Sequence, residues 1–401
     1  MNAQTMTNYG TLIGGILLVA GTSIGGGMLA LPVLTSQAGF FPSLCLYLSC
    51  WLFMMCTGLL FLEISLWMEG DANIITMASR TLGKWGKAAA WGLYLFLFYC
   101  LTLAYVVGAG DLIVEVMDKA IHLNEWQGQL IFLALFVPFV YAGARLVGRL
   151  NLFLMFGLGL SFCAFVLLGY PHVNRDFLLK NSWIHIWSAL PITFTAFAYQ
   201  GIIPTLISYL HRNVSMVRLA IIIGSFLPFI AYAIWQWLIL GIVPAEGPGS
   251  LQEAMQNGQN AVQPLKTILA VPEVYVVGQY FAFFALVTSF FGVTLGLMDF
   301  LADGLKVEKT PLNKILLCVL IFLPPFLFAL THPHIFLVAL DYAGGFGCAL
   351  LLGLLPVLMV WKGRYRLGLK GEYQVSGGKW LLCTLIAFVL VELACELSLI
   401  F

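Results

Sequence analysis

Residues 20–32 have the sequence AGTSIGGGMLALP and decide the fold of this chain. They lie inside its first long apolar stretch, yet four of the seven residues from 21 to 27 are glycine, and Pro32 follows. Glycine and proline both disfavour a continuous helix. Non-helical backbone survives at membrane depth only where protein buries it or where it lines a cavity. The stretch therefore predicts a broken membrane helix beside an internal site.

The composition of the 401 residues is that of an all-α membrane protein. Apolar residues make up 61% of the chain and charged residues 9%, with a mean hydropathy of +0.97, whereas soluble globular chains carry about 25% charged residues. A net charge of +1 gives no reason to expect nucleic acid as a partner. The nine cysteines form no Cys-x-x-Cys pair, so we expect no disulfide framework, metal site or cofactor.

Eleven apolar stretches approach or exceed the ~20 residues that a helix needs to cross a bilayer. They cover about 9–34, 40–68, 88–116, 127–144, 150–170, 187–210, 217–243, 274–300, 312–331, 335–361 and 380–401. The polar segment between the seventh and eighth stretches, 244–272, is long enough for a short helical cap over the bundle.

The basic residues predict the orientation of the chain in the membrane. If the N-terminus is cytoplasmic, 15 of the 19 Lys and Arg residues fall in cytoplasmic loops, as the positive-inside rule requires. The outer loops keep only four, which are Lys119, Arg175, Lys180 and Lys266. An odd number of spans then places the C-terminus on the outer side.

A second interruption lies in the sixth stretch, roughly 175 residues after the first. Residues 193–201 have the sequence TFTAFAYQG, and Pro204 follows. Two units of five spans would each begin with a broken helix, and because five is odd the second unit is inverted. Many secondary transporters have this 5+5 inverted repeat, with the substrate between broken helices 1 and 6. The whole chain is then one transporter domain, 1–401, with repeat one over about 9–170, repeat two over about 187–361 and an extra helix over about 380–401.

Close helix packing is the alternative explanation for the glycines. Gly10-x-x-x-Gly14 and Gly21-x-x-x-Gly25 both fit the small-residue packing motif. Packing alone does not require three consecutive glycines at 25–27, so we interpret those three as functional. Exposed N–H groups of a second half-helix favour a carboxylate, and carbonyls at the end of a first half-helix favour an ammonium group. An amino acid would need no charged side chain here, and neither break contains one.

Several motifs give the sequence a family resemblance. They are GTSIGGGMLALP at 21–32, Leu62-Glu63-Ile64, YCLTLAY at 99–105, SFFGVTLGLMDFL at 289–301 and YAGGFG at 342–347. The chain resembles the bacterial tyrosine- and tryptophan-specific permeases, the aromatic amino acid permease family of the amino acid/polyamine/organocation superfamily. The resemblance implies a LeuT-type fold with eleven spans and ion-coupled uptake of Tyr, Trp or Phe through the bacterial inner membrane. Gln200 replaces a His that is frequent in the family, so a proton role for that His does not carry over.

The predicted substrate contacts lie in the two breaks and in the third span, which borders the site in this fold. An aromatic substrate ring needs an apolar, partly aromatic slot. Tyr99, Thr102 and Tyr105 share helical spacing in the third span. The predicted binding residues are Thr22, Ser23, Gly25, Gly26, Gly27, Tyr99, Thr102, Phe194, Phe197, Tyr199 and Gln200.

The sequence leaves two candidates for the coupling ion, a proton and sodium. The resemblance favours a proton, with Glu63 or Asp341 as carrier, because intramembrane acids are costly and usually functional. Each acid also has an alternative role. The Glu63 carboxylate could be hydrogen-bonded to the neighbouring backbone, and Asp341 could form a gate or extend its carboxylate toward the membrane surface. Sodium-coupled members of the LeuT-type fold hold their ion between the first broken helix and span 8. The matching candidates are the carbonyls of Gly21, Ile24 and Ala285 and the hydroxyls of Thr288 and Ser289, although those hydroxyls could instead bond back to their own helix.

Other functions remain as alternatives. A membrane-embedded enzyme is disfavoured, because no His-Glu-x-x-His, Gly-x-Ser-x-Gly or phosphate-loop motif is present. A channel would show flux without saturation or exchange. Within transporters, a small hydroxy amino acid such as serine or threonine is the main competing substrate.

Overall fold

Long apolar helices form the structure, a computed structural model that describes residues 3–68, 72–117, 121–269 and 271–400. These residues contain α-helices, short 3-10 helices and one π-helix, and no strand longer than the isolated bridge between Gly39 and Asn181. The α-helices are α1 (Ala3–Ser23), α2 (Gly26–Leu34), α3 (Phe40–Leu66), α4 (Ile74–Leu82), α5 (Lys84–Met117), α6 (Glu125–Ala142), α7 (Ala144–Gly169), α8 (Arg175–Leu179), α9 (Leu190–Ala196), α10 (Ile203–Tyr209), α11 (Val214–Ile242), α12 (Leu251–Gln256), α13 (Leu265–Ile268), α14 (Pro272–Gly304), α15 (Pro311–Thr331), α16 (Phe336–Tyr342), α17 (Leu355–Tyr365) and α18 (Gly378–Ile400).

Within the described residues, ten helical segments are long and apolar enough to cross a membrane, and the bent pair α1–α2 makes an eleventh. Each segment coincides with one of the predicted apolar stretches, which confirms the all-helical prediction with ten to eleven spans. The sixth span runs from the 3-10 helix Trp183–Ala189 through α9 and α10, and the tenth joins α16, the π-helix Ala343–Leu354 and α17. Lys119, one of the four predicted outer basic residues, lies outside the described residues.

Helix α4 between the second and third spans is amphipathic and was not predicted. Its N-cap Asn73 accepts a hydrogen bond from the Thr76 amide, and Gly83 ends it with φ of 83°. These are ordinary helix start and stop signals. Ile74 and Met77 are buried under the bundle, so α4 closes against the end of the bundle where α1 begins.

The segment between α11 and α14 forms the predicted cap. It contains α12 and α13, and the Ala261 amide donates to the Leu29 carbonyl of α2 at 3.0 Å. The cap therefore sits over the second half of the first broken span, at the end of the bundle opposite α4.

Candidate functional site

The first span breaks where its glycines predict. Helix α1 ends at Ser23 and α2 begins at Gly26, and their axes differ by 51°. Between them Gly25 is extended, with φ of −164°. The first N–H groups of a helix have no acceptor within that helix, so the start of α2 presents donors at the break.

The three consecutive glycines each approach a different neighbour. A Cβ on Gly25 would lie 2.1 Å from the Ser289 Oγ in α14, and one on Gly26 would lie 2.6 Å from the Tyr105 ring in α5. A Cβ on Gly27 would lie 3.0 Å from the Cα of Ala196 in α9. Contacts this short exclude a side chain unless the neighbour moves. Packing is therefore sufficient to explain why all three positions lack a side chain, and a binding role for these glycines stays a prediction.

The second break lies directly beside the first. Helix α9 ends at Ala196, residues 197–199 are not helical, and a 3-10 turn leads into α10. The close approach of Gly27 to Ala196 brings the start of α2 against the end of α9.

Tyr232 of α11 joins the two breaks. It is fully buried, and its hydroxyl lies 2.6 Å from the Ser23 carbonyl and 2.7 Å from the Ala196 carbonyl. These carbonyls belong to the last residues of α1 and α9, where helix dipoles place partial negative charge. One hydroxyl proton is shared between two acceptors, so these carbonyls keep the capacity to bind another donor. Sequence reasoning missed Tyr232; the only signal is a tyrosine in mid-span, which needs a partner for its hydroxyl.

One turn further along α11, a buried polar chain closes the end of the site under the cap. The Gln236 amide nitrogen donates to the Thr35 hydroxyl at 2.6 Å, and the Tyr47 hydroxyl donates to the Gln236 amide oxygen at 2.7 Å. All three side chains are fully buried. This chain ties the end of α2 to α3 and α11.

A cavity of about 620 Å³ extends from the two breaks toward α4, within the usual range of about 300–1,000 Å³ for small-molecule sites. Gly14 and Leu17 of α1 and Ile74 of α4 line its outer part, and Gly25 and Gly27 line its inner end. The cavity therefore opens at the α4 end of the bundle.

Five of the predicted substrate-binding residues line this cavity: Thr22, Ser23, Gly25, Gly27 and Tyr199. The Thr22 hydroxyl donates to the Leu18 carbonyl of its own helix. The Ser23 hydroxyl is buried and has no partner among the described residues. Ser23 therefore provides a free polar group beside the break.

The aromatic pair of the second break points away from the cavity. Phe194 is fully buried and packs on Phe53 and Phe388, with ring centroids 5.0 and 5.8 Å apart. Phe197 packs on Tyr232 at 5.0 Å. Both rings fill the core between spans, and neither is part of the cavity wall.

Gln200 binds to the second span. Its amide nitrogen lies 3.2 Å from the Met54 carbonyl and 3.0 Å from the Thr57 hydroxyl, and its oxygen accepts from the Tyr199 amide at 3.0 Å. The amide is therefore satisfied by the protein and holds the break against α3. Tyr199 also donates its hydroxyl to Met54, at 3.2 Å.

The remaining predicted contacts lie behind the cavity wall. The Tyr99 hydroxyl donates to the Leu320 carbonyl of α15 at 2.8 Å, and the Thr102 hydroxyl bonds back to Phe98. Gly26 faces the Tyr105 ring. The third span contributes Tyr94, Phe98 and Tyr105 to the cavity instead; Tyr94 and Phe98 were missed.

Some of the predicted sodium ligands line the cavity. Gly21, Thr288 and Ser289 line it, whereas Ile24 and the fully buried Ala285 do not. The Thr288 hydroxyl donates to the Phe284 carbonyl at 2.8 Å and lies 3.1 Å from that of Ala285. This is the back-bonding considered as the structural alternative, although the hydroxyl oxygen keeps its own lone pairs.

Glu63 is held in a buried ion pair. The Arg364 Nε donates to Glu63 Oε1 at 2.6 Å, Arg364 Nη2 donates to the other carboxylate oxygen, and the side chains are 1% and 5% exposed. The Val375 amide also donates to Glu63 Oε2, at 2.8 Å. A carboxylate held by a guanidinium and a backbone amide favours the structural role over proton carriage.

The comparisons with known proteins agree with this arrangement. The sequence matches the tryptophan/tyrosine permease family over residues 8–396. It is 34% identical to tyrosine-specific transport system 1 of Haemophilus influenzae, over 94% of this chain and 95% of the relative. It is 32% identical to tyrosine-specific transport system 2 of the same organism, with 92% of each chain covered. It is 29% identical to the tryptophan-specific transport protein of Pseudomonas aeruginosa, over 91% of this chain and 89% of the relative.

These relatives are transport proteins and not enzymes, and aromatic amino acid transport is the activity named for them. The family match covers nearly the whole chain, and it includes both broken spans and the cavity between them. The chain is a multi-span membrane protein that belongs to the tryptophan/tyrosine permease family.

Proposed function

We propose that this protein is a secondary transporter that imports an aromatic amino acid, with tyrosine first, together with a cation through the bacterial inner membrane. The carrying observation is the cavity that ends on the broken backbone of two spans and is lined by Tyr94, Phe98, Tyr105 and Tyr199. Two relatives that share more than 30% identity with this chain are named tyrosine-specific, which supports tyrosine over tryptophan.

The substrate is proposed to bind by its backbone groups at the breaks. Its carboxylate would accept from the N–H groups at the start of α2, beside Gly25 and Gly27. Its ammonium group would donate to the carbonyls of Ser23 and Ala196, which now share the Tyr232 hydroxyl. The ring would extend toward α5, between Tyr105 and Tyr199.

The positive-inside pattern supports a cytoplasmic N-terminus and a periplasmic C-terminus. In that orientation α4 is cytoplasmic, so the cavity opens inward and the cap at 243–271 lies on the periplasmic side. The paired breaks of spans 1 and 6, each followed by four further spans, support the LeuT-type 5+5 inverted repeat over about 9–170 and 187–361. Rocking of one repeat against the other would then expose the site to either side.

Counterflow in proteoliposomes tests the substrate. We expect saturable exchange of labelled tyrosine, with phenylalanine and tryptophan as competitors, because the cavity wall is partly aromatic. Serine and leucine should exchange more slowly than all three. Faster exchange of serine or leucine would contradict the aromatic assignment, and flux without saturation would indicate a channel.

Vesicles with imposed gradients test the coupling ion, for which we favour a proton. Sodium is the second candidate, because Gly21, Thr288 and Ser289 all line the cavity. We expect a pH gradient to drive uptake without sodium, and collapse of that gradient to abolish it. Uptake that instead follows a sodium gradient with the pH gradient collapsed, and is lost on Thr288→Ala with Ser289→Ala, would establish the sodium site.

A further inference from the structure

The last span carries two acids on its buried face. Glu392 and Glu396 are one turn apart in α18 and both are fully buried. α18 packs against the π-helix of the tenth span and against α9. A Cβ on Gly345 of the π-helix would lie 2.5 Å from Cδ and Oε2 of Glu396, so this carboxyl lies directly against the backbone of span 10.

A third acid joins them. Asp341 lies one turn before Gly345, and its charge interacts with that of Glu396 and of Glu392. All four oxygens of the two glutamates and Oδ1 of Asp341 are buried and have no hydrogen-bond partner among the described residues. The backbone amide of Ile192, in α9, is the polar group that faces Asp341.

Among the described residues, no Lys, Arg or His forms an ion pair with these three acids. Cys395 of α18, Cys348 of the π-helix and Cys50 of α3 lie within electrostatic range of Glu392. α9 carries no titratable side chain. Among the other charged groups of packed elements, Arg364 of α17 binds Glu63, and His185 bonds to the Ser182 hydroxyl. Lys362, also in α17, forms no ion pair with these acids within the described residues.

Three adjacent carboxylates cannot all stay ionised in such a place. Burial of an unpaired charge is costly, and like charges at close range raise the cost further. The described residues contain no group of three or more His, Cys, Asp or Glu side chains arranged to hold a metal ion. Protonation neutralises such buried acids directly.

The cluster is mechanically connected to the substrate cavity. Thr195 of α9 lines the cavity and donates its hydroxyl to the carbonyl of Leu340, the residue before Asp341, at 2.7 Å. Cys348, which faces Glu392, also lines the cavity. The connecting segment is a π-helix, a conformation that occurs frequently at functional sites. A change of charge at the acids would therefore act on span 10 and on the first half of the second broken span.

We propose that Asp341, Glu392 and Glu396 form the proton-binding site that couples transport to a pH gradient. Loss of a proton to the cytoplasmic side would leave an unpaired carboxylate in a buried position, which is costly, and would shift span 10 against α9, so that substrate release follows. This inference rests on the proposed proton coupling and adds the last span, outside the 5+5 repeat, to the coupling machinery.

The test uses Glu392→Gln, Glu396→Gln and the double variant in the full-length protein, with exposed Glu246→Gln as the matched control. We expect the cluster variants to keep tyrosine counterflow but to lose accumulation driven by a pH gradient and substrate-induced proton uptake. Glu246→Gln should behave as wild type. If the cluster variants accumulate tyrosine on a pH gradient to the same level as the wild-type protein, the inference is overturned. If the wild-type protein itself shows no tyrosine counterflow, the proposed function is refuted instead.

An infrared measurement keeps the inference testable without transport. At neutral pH, the purified wild-type protein should show the carbonyl stretch of buried protonated carboxylic acids, and the double variant should lose the part of that signal that comes from Glu392 and Glu396. Absence of that difference between two folded proteins would show that the glutamates carry no proton and would refute the site.

Discussion

Replacement of Gly25 by valine is expected to abolish tyrosine binding while the protein still inserts and folds. Its Cβ would lie 2.1 Å from the Ser289 Oγ and 3.2 Å from the Ser289 Cβ, and two further methyl groups would follow it. The start of α2 would have to move away from α14. A displacement of about 1 Å at a positioning group lowers the rate about 100-fold. Counterflow and equilibrium binding of labelled tyrosine measure the loss.

Two sets of control variants identify the cause of the loss of binding in Gly25→Val. Gly92→Val is the matched control, because Gly92 lies in a membrane span with open space where its Cβ would be. The Gly25→Ala variant should bind tyrosine weakly. Binding should recover in part when Ser289→Ala is added, because the nearest remaining contact of the new Cβ is then the Cβ of residue 289, at 3.2 Å. The single Ser289→Ala variant is the reference. Near-normal uptake by Gly25→Val would contradict the proposed seat of the carboxylate.

The glycines at 21–27 and the apolar stretches were sufficient to predict the break and the spans. A glycine run in mid-span is a local signal, and hydropathy integrates over about 20 residues. The direction in which each side chain points, by contrast, is not determined by such a local sequence signal. In the second break residues 197–199 are not helical, so helical periodicity no longer assigns their faces, and Phe197 turns into the core while Tyr199 reaches the cavity.

Helical periodicity alone could have corrected the third span. Residues 94, 98, 101 and 105 follow the i, i+4, i+7, i+11 spacing of one helix face, and all four line the cavity. Tyr99 is six residues before Tyr105, which places it about 120° away on the helix. Its hydroxyl accordingly binds Leu320 of α15. The predicted set of Tyr99, Thr102 and Tyr105 mixed two faces.

Long-range partners could not be predicted from one sequence. Arg364 is 301 residues from Glu63, and Tyr232 is 209 residues from Ser23. Each pairing depends on the packing of several spans, and nothing in the local pattern selects it. The acidic cluster could not be predicted for the same reason, since Glu396 lies against Gly345, one turn after Asp341, only because α18 packs on the π-helix.

Loss of the Glu63 carboxylate is expected to cause a large loss of stability. Glu63→Ala leaves the buried Arg364 guanidinium without its counter-charge, and breaking one side of a buried pair costs about 3–5 kcal/mol. Arg364→Ala should cost a similar amount. Chemical or thermal unfolding in detergent measures both, and Asp299→Asn is the control, because the Asp299–Lys309 pair is exposed and such pairs contribute about 0–1 kcal/mol.

Glu63→Leu combined with Arg364→Leu should destabilise less than either alanine variant, because no buried charge is left unpaired. Glu63→Gln then separates the two interpretations of this acid. If Glu63 only holds α3 to α17 and to Val375, the fraction of this variant that folds will still accumulate tyrosine on a pH gradient. A stable Glu63→Gln protein that keeps counterflow but loses gradient-driven uptake would instead identify Glu63 as the proton carrier, in the place we assign to Asp341, Glu392 and Glu396.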